Sequence, residues 1–129
     1  MLLLLAGARG RLKILLVDDD DALLSLLAKE LGNRGCDVNQ SPSGDEAFHV
    51  WQRLVPWEFV LSDFRFIPGT TVKDGVQLVT AIHGINPLQP MAIMTASQKE
   101  AREKPPEGLQ HVSVLRKPFR IEQLLRLPI

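Results

Sequence analysis

Short strand-like segments alternate along this chain with longer segments of helical spacing, and this alternation limits the folds open to it. We predict strands at 12–17, 36–40, 58–62, 91–94 and 112–116. We predict helices at about 20–34, 44–54, 74–85 and 121–127. Because strands joined through helices pair in parallel with right-handed crossovers, the predicted fold class is α/β, a doubly wound parallel sheet flanked by helices.

Residues with reactive or charged side chains stand where four of the predicted strands end. In chain order they are Asp18, Asp19, Asp63, Thr95 and Lys117. Ligands of doubly wound sheets bind outside the carboxyl ends of the strands, so we expect these side chains to share one site. Mg²⁺ prefers oxygen ligands and is commonly held by one or two carboxylates together with phosphate oxygens. The pattern therefore predicts a magnesium-dependent phosphoryl acceptor.

The same residues resemble the receiver domain of two-component response regulators, which has the chemotaxis-regulator fold. The motifs are Val17-Asp18-Asp19, Ser62-Asp63, Thr95-Ala96 and Lys117-Pro118-Phe119, and the resemblance covers about residues 12–127. It implies a flavodoxin-like sheet of five strands in the order 2-1-3-4-5. It also implies a cis peptide before the proline that follows the lysine. We divide the chain into an N-terminal extension, residues 1–10, and a receiver domain, residues 11–129.

The resemblance also implies a set of metal ligands. Asp19 and Asp63 would bind Mg²⁺ directly, and Asp18 would act mainly through water. The backbone carbonyl of Arg65 would be a further ligand. Carboxylates about 4 Å apart repel each other by roughly 4 kcal/mol per pair at an effective dielectric of 20, and a bound divalent cation offsets that repulsion.

The catalytic residues implied by the resemblance are Asp63, Thr95 and Lys117. Asp63 would attack the phosphorus of a phosphohistidine or a small acyl phosphate and become an aspartyl phosphate. The Thr95 hydroxyl and the Lys117 ammonium would each contact a phosphoryl oxygen. Such a domain is a signalling module rather than a classical enzyme, although it would catalyse its own phosphorylation and dephosphorylation.

The expected function is therefore that of a cytoplasmic phosphoprotein in two-component signalling or a phosphorelay. The phosphoryl donor would be a histidine kinase or a phosphotransfer protein, and the partner would be a downstream protein or an output domain that this sequence does not contain. The sequence is also compatible with a homodimer. The alternative is a pseudo-receiver that binds a partner without phosphorylation. Three departures from the receiver pattern favour this alternative: a long loop at 64–74, Val114 where an aromatic is usual, and Pro105-Pro106. We expect the two prolines to shorten the fourth helix.

Composition excludes several other classes of protein. Lys and Arg total 15 and balance 15 acidic residues, so no strong field favours nucleic acid or an anionic membrane. No apolar stretch approaches the roughly 20 residues that cross a bilayer. The single cysteine, Cys36, fits a reducing compartment and predicts a buried residue near a strand. A small phosphatase would need a second acid two residues after its aspartate nucleophile, where this chain has Arg65. A flavin-binding protein would need a phosphate-binding loop after the first strand, where this chain has four aspartates. His49, His83 and His111 fit no ligand spacing, and we interpret them as ordinary.

Overall fold

The computed structural model describes residues 12–54, 56–66, 72–99 and 108–127. Strands and helices alternate through these residues much as the sequence predicts, with every predicted boundary confirmed to within two residues. In chain order the elements are β1 (Lys13–Val17), α1 (Asp21–Gly32), β2 (Asp37–Ser41), α2 (Gly44–Arg53), β3 (Phe59–Asp63), α3 (Gly75–Ile85), β4 (Met91–Thr95), β5 (Ser113–Arg116) and α4 (Ile121–Leu125).

The strands form one parallel sheet in the order β2-β1-β3-β4-β5. Every pair of neighbouring strands is parallel, which confirms the predicted doubly wound topology. The chain moves from β1 outward to β2 and then back to β3 on the other side, so the strand order reverses between β1 and β3. Ligands of this class of sheet bind at such a reversal. In the register there, Val17 lies opposite Ser62, so the residues that follow them emerge side by side.

Two hydrophobic cores cover the two faces of the sheet, and β1 contributes to both. Ile14 and Leu16 pack in the core that contains the buried leucines of α1 and α4. Leu15 and Val17 pack in the core that contains the buried residues of α2 and α3. Successive strand residues point to opposite faces, so a strand with helices on both sides has to be apolar throughout. This explains the continuous apolar run at 12–17.

Aspartate side chains cap the N-termini of α1 and α3. Asp20 accepts a hydrogen bond from the Leu23 amide at 3.1 Å and is the N-cap of α1. Asp74 caps α3 in the same way, through the amide of Gln77. Because α1 begins at Asp21, the connection from β1 is short and is held at the carboxyl end of the sheet.

Several sequence-based expectations fall outside the described residues. They concern the extension at 1–10, the middle of the long loop at 67–71, and the shortened fourth helix, whose prolines lie within 100–107. The label α4 is therefore given to the closing helix. Cys36 is buried, as predicted. In the parts of the chain that the structure describes, no helix combines the length and apolar character needed to cross a membrane.

Candidate functional site

Three carboxyl groups meet at the carboxyl end of the sheet, beside the reversal between β1 and β3. Asp18 and Asp19 follow β1, and Asp63 is the last residue of β3. Each offers one oxygen, and the three oxygens lie within 4.8 Å of one another. Asp18 and Asp63 are buried, while Asp19 is exposed to solvent. A set of oxygen donors with one side open to water fits Mg²⁺, which keeps several waters when it binds to proteins.

Lys117 places an ammonium between two of these carboxyl groups. Its Nζ lies 2.9 Å from Asp18 Oδ2 and 3.1 Å from Asp63 Oδ1. The lysine follows β5, two strands away from β3, and its side chain reaches across the end of β4. Its backbone N–H donates to the Thr95 carbonyl at 2.7 Å, which ties the β5 end to the β4 end. The peptide from Lys117 to Pro118 is cis, as the resemblance implied.

Both oxygens of Asp18 are engaged. Oδ2 accepts from Lys117, and Oδ1 accepts from the backbone N–H of Asp20 at 3.0 Å. Charge-assisted hydrogen bonds of this kind compensate the cost of burying a carboxylate. Asp18 is thereby held in a single orientation, and it in turn orients the lysine beside Asp63.

Burial perturbs the proton equilibria of this site. Desolvation, with the negative charge of Asp18 as a second cause, raises the pKa of Asp63 from 3.8 to about 6, although Lys117 acts in the opposite direction. Burial alone would lower the pKa of Lys117, but its hydrogen bond to Asp18 and the charge of Asp63 outweigh burial and raise that pKa. The site thus attracts positive charge, as a proton or as a metal cation.

Thr95 completes the arrangement at the end of β4. Thr95 is buried. Met94, which precedes Thr95 in the chain, pairs with Asp63 in the sheet. The Thr95 hydroxyl oxygen accepts from the backbone N–H of Ser97 at 3.0 Å, so the turn that follows β4 is anchored to this side chain. Ala96, between them, is exposed and adds no bulk above the site.

Comparisons with known proteins identify the family of this chain. A family model described as the response regulator receiver domain matches residues 14–127. The chain belongs to this family. It is 39% identical over 83 residues to the Escherichia coli transcriptional regulatory protein GlrR, a match that covers 64% of the chain and 18% of GlrR. The chain therefore spans about a fifth of the length of this curated relative.

Solved receiver structures share the fold. The receiver domain of the Francisella response regulator 1452 aligns with a TM-score of 0.71 at 25% identity, over 88% of this chain and 89% of that one. The chemotaxis response regulator CheY4 of Vibrio cholerae aligns with a TM-score of 0.77 at 21% identity, over 92% and 99% of the two chains. The predicted flavodoxin-like receiver fold is confirmed.

The structure brings four of the six predicted site residues, Asp18, Asp19, Asp63 and Lys117, into one cluster. Thr95 lies at the end of the adjacent strand, where its carbonyl accepts from the Lys117 N–H. Arg65 follows Asp63 by two positions, and its guanidinium carbon lies 5.7 Å from the centre of the Phe64 ring. The role assigned to its backbone carbonyl stays a prediction. Val114, which stands where receiver domains usually carry an aromatic residue, is half-buried in β5.

Sequence reasoning missed Gly75, which shapes the receiver site without contributing a side chain. A Cβ atom at Gly75 would collide with the backbone carbonyl oxygen of Asp63. The Gly75 N–H also donates to the Phe64 carbonyl at 2.9 Å, so the start of α3 is pressed against the end of β3. A glycine at the start of a predicted helix was the available signal, since glycine often marks a close approach of backbone.

Proposed function

We propose that this receiver domain accepts a phosphoryl group on Asp63, with Mg²⁺ as cofactor, and that phosphorylation changes its binding to a partner. The observation that carries the proposal is the position of the Lys117 ammonium, 2.9 Å from Asp18 and 3.1 Å from Asp63, beside three carboxyl groups clustered within 4.8 Å. A nucleophile, an oxygen-rich metal site and a fixed cation are the parts that phosphoryl transfer requires.

The metal ligands proposed are the carboxylates of Asp18, Asp19 and Asp63, with the Arg65 carbonyl as a further ligand. Mg²⁺ held there would supply positive charge that reduces the repulsion among the carboxylates and neutralises charge on phosphoryl oxygens. The fit rests on the donor set: oxygen atoms only, from residues anchored on neighbouring strands, with Asp19 on the solvent side.

In the transfer step, a carboxylate oxygen of Asp63 attacks the phosphorus of the donor. A bond forms from that oxygen to phosphorus as the phosphorus–nitrogen bond of a phosphohistidine breaks, and its electron pair stays on the imidazole nitrogen. With a small acyl phosphate, the phosphorus–oxygen bond breaks and the carboxylate departs. Lys117 would keep its contact with Asp18 and turn its remaining donors to a phosphoryl oxygen, while Thr95 would donate to another.

The resemblance to longer regulators suggests the place of this module in signalling. GlrR is a transcriptional regulatory protein of which the match covers 18%. We infer that the receiver acts in the cytoplasm on a downstream protein or on an attached output domain, receives its phosphoryl group from a histidine kinase or phosphotransfer protein, and serves as a regulator or relay intermediate. Dimerisation of the phosphorylated domain would be one form of output.

The test is labelling by acetyl phosphate, read on a phosphate-affinity gel in the presence of Mg²⁺. The wild type should shift, Asp63→Asn should not, and removal of Mg²⁺ with a chelator should abolish the shift. Asp37→Asn is the matched control, because Asp37 is an exposed carboxylate at the start of β2, at the opposite end of the sheet. Labelling that persists in Asp63→Asn would assign the phosphoryl group to another residue. A wild type that neither labels nor binds beryllofluoride with Mg²⁺ would favour the pseudo-receiver that binds its partner constitutively.

A further inference from the structure

Two histidines that are distant in the sequence lie together at the amino end of the sheet. His83 is in the last turn of α3, and His111 is in the turn that leads into β5. Their ring centroids are 5.3 Å apart, and the ring planes are inclined by 38°. His83 is half-buried and His111 is exposed, so solutes can reach the pair from solvent.

The separation of the rings matches that of two imidazoles sharing a metal ion. Zn²⁺ binds histidine nitrogen at about 2.0–2.1 Å, and at a tetrahedral angle two such rings have their centres about 5 Å apart. Packing of two aromatic rings without a metal also allows centroids about 4.5–7 Å apart, so the experiment must separate the two explanations.

The surroundings of His111 leave room for further ligands. The residue lines an open cleft of about 440 Å³, whose walls include Gln89, Gln110 and Ser113. His83 is not part of the wall of that cleft. Because His111 is exposed, solvent water could complete the coordination of a cation held by the two imidazoles, and zinc sites outside structural centres commonly keep a water ligand.

We propose that His83 and His111 together bind a divalent cation of the later first transition row, such as Zn²⁺ or Ni²⁺. Neutral imidazole nitrogen is a good ligand for these ions, whereas Mg²⁺ favours oxygen. The site is distinct from the carboxylates around Asp63, which lie at the other end of the strands. The cation would link α3 to the turn before β5 and would stabilise the folded chain by binding it in preference to the unfolded chain.

The experiment is a calorimetric titration of Zn²⁺ at pH 7.5 in saturating Mg²⁺, which occupies the carboxylate site. The wild type should bind one Zn²⁺ per chain. The variants His83→Gln and His111→Gln should each lose affinity by about tenfold or more, since each removes one of two protein ligands. His49→Gln is the matched control, because His49 is exposed on α2 and lies beside Arg53, 3.2 Å from its Nη1.

A thermal unfolding measurement distinguishes loss of the metal site from loss of the folded structure. Saturating Zn²⁺ should raise the thermal midpoint of the wild type and of His49→Gln but leave that of His111→Gln unchanged. His111 is exposed, so its replacement should leave the fold intact. The proposal is overturned if the wild type shows no saturable binding of one Zn²⁺, or if His111→Gln binds as tightly as the wild type. Either result leaves the assignment of Asp63 untouched, because that assignment is tested by phosphoryl labelling.

Discussion

The two ends of the sheet bury polar groups in contrasting ways. At the carboxyl end, Asp18 and Asp63 are buried with the ammonium of Lys117, and the pKa of Asp63 rises to about 6. At the amino end, among the residues that the structure describes, the buried polar side chain is the neutral amide of Gln89, which is 3% exposed. The carboxyl end therefore buries charged groups, whereas the buried polar side chain at the amino end is neutral.

Gln89 is satisfied on both sides of its amide. Its Oε1 accepts from Trp51 Nε1 at 2.9 Å, and its Nε2 donates to the backbone carbonyls of Trp57 and Pro90, each at 3.2 Å. Trp57 in turn donates to the Trp51 carbonyl at 3.2 Å. A neutral network with every member paired stabilises the fold at any pH.

The charged cluster behaves differently, since the two buried carboxyl groups of Asp18 and Asp63 share the ammonium of Lys117. Burial of charge costs free energy unless it is fully compensated, and here compensation is incomplete without a cation. If the end of the sheet proposed for phosphoryl chemistry has this function, its charged groups give up stability in return for reactivity, whereas the Gln89 network at the opposite end contributes stability. Three substitutions would break or sharpen this contrast.

The largest effect is expected from Gly75→Ala, which tests the backbone that supports the charged end. The new methyl group would collide with the Asp63 carbonyl, so we expect the free energy of unfolding to fall by about 3 kcal/mol, with loss of phosphoryl labelling. Gly84→Ala is the control in the same helix, since nothing lies within 4 Å of its added Cβ. It should raise stability by about 0.5 kcal/mol. Equal urea midpoints for the two variants would show that α3 is not pressed against β3.

A smaller loss is expected from Gln89→Leu, which tests the neutral end. The leucine fills a similar volume but leaves the Trp51 indole N–H and the Trp57 carbonyl without this partner. Unpaired buried groups of this kind cost about 1–3 kcal/mol, and we expect a loss of about 2 kcal/mol. Urea unfolding should give the same loss at pH 5 and pH 8 and with or without Mg²⁺. A loss that varies with pH or Mg²⁺ would mean that the two ends are coupled.

The smallest effect is expected from Asp63→Asn, and its sign is opposite. Because the pKa of Asp63 is raised in the folded state, the contribution of Asp63 to the free energy of unfolding is most favourable below pH 3.8. This contribution is lost as the pH rises through about 6. The asparagine has no such loss. A shift from 3.8 to about 6 sets an upper limit of about 3 kcal/mol, and relaxation and water entry at the open side of the site reduce the expected advantage of the variant without Mg²⁺ to about 1–2 kcal/mol at pH 8. At pH 3.5 the two should be equal.

Two controls accompany that comparison. Asp37→Asn changes an exposed carboxylate and should stay within about 0.5 kcal/mol of the wild type at both pH values. Saturating Mg²⁺ should reduce the advantage of Asp63→Asn, because the cation stabilises the wild type preferentially. If urea unfolding shows no pH-dependent difference between Asp63→Asn and the wild type, the carboxylates at this end of the sheet are fully compensated.

Much of this architecture was predictable because it depends on local patterns. The run at 12–17 is apolar on both faces, which only a strand covered by helices requires, and β1 is buried as predicted. The helices predicted at about 20–34 and 74–85 begin one residue after Asp20 and Asp74, and both aspartates act as N-caps. The cluster of Asp18, Asp63 and Lys117 was predictable because the carboxyl ends of parallel strands meet at one side of a sheet.

Other features could not be predicted, since they depend on contacts between distant segments. Nothing in the sequence pairs His83 with His111 or places Gln89 between two tryptophans. The fit of Gly75 against Asp63 depends on how closely α3 packs on β3, which periodicity does not reveal.

By itself, the sequence determined which segments become strands and helices and which reactive side chains stand at the strand ends, because both follow from backbone periodicity and residue chemistry. Tertiary structure alone decided the distances: an ammonium 2.9 Å and 3.1 Å from two carboxylates, and two imidazoles 5.3 Å apart. The physical reason is that desolvation and Coulomb interactions depend on burial and separation, so the raised pKa of Asp63 exists only once the helices have packed onto the sheet.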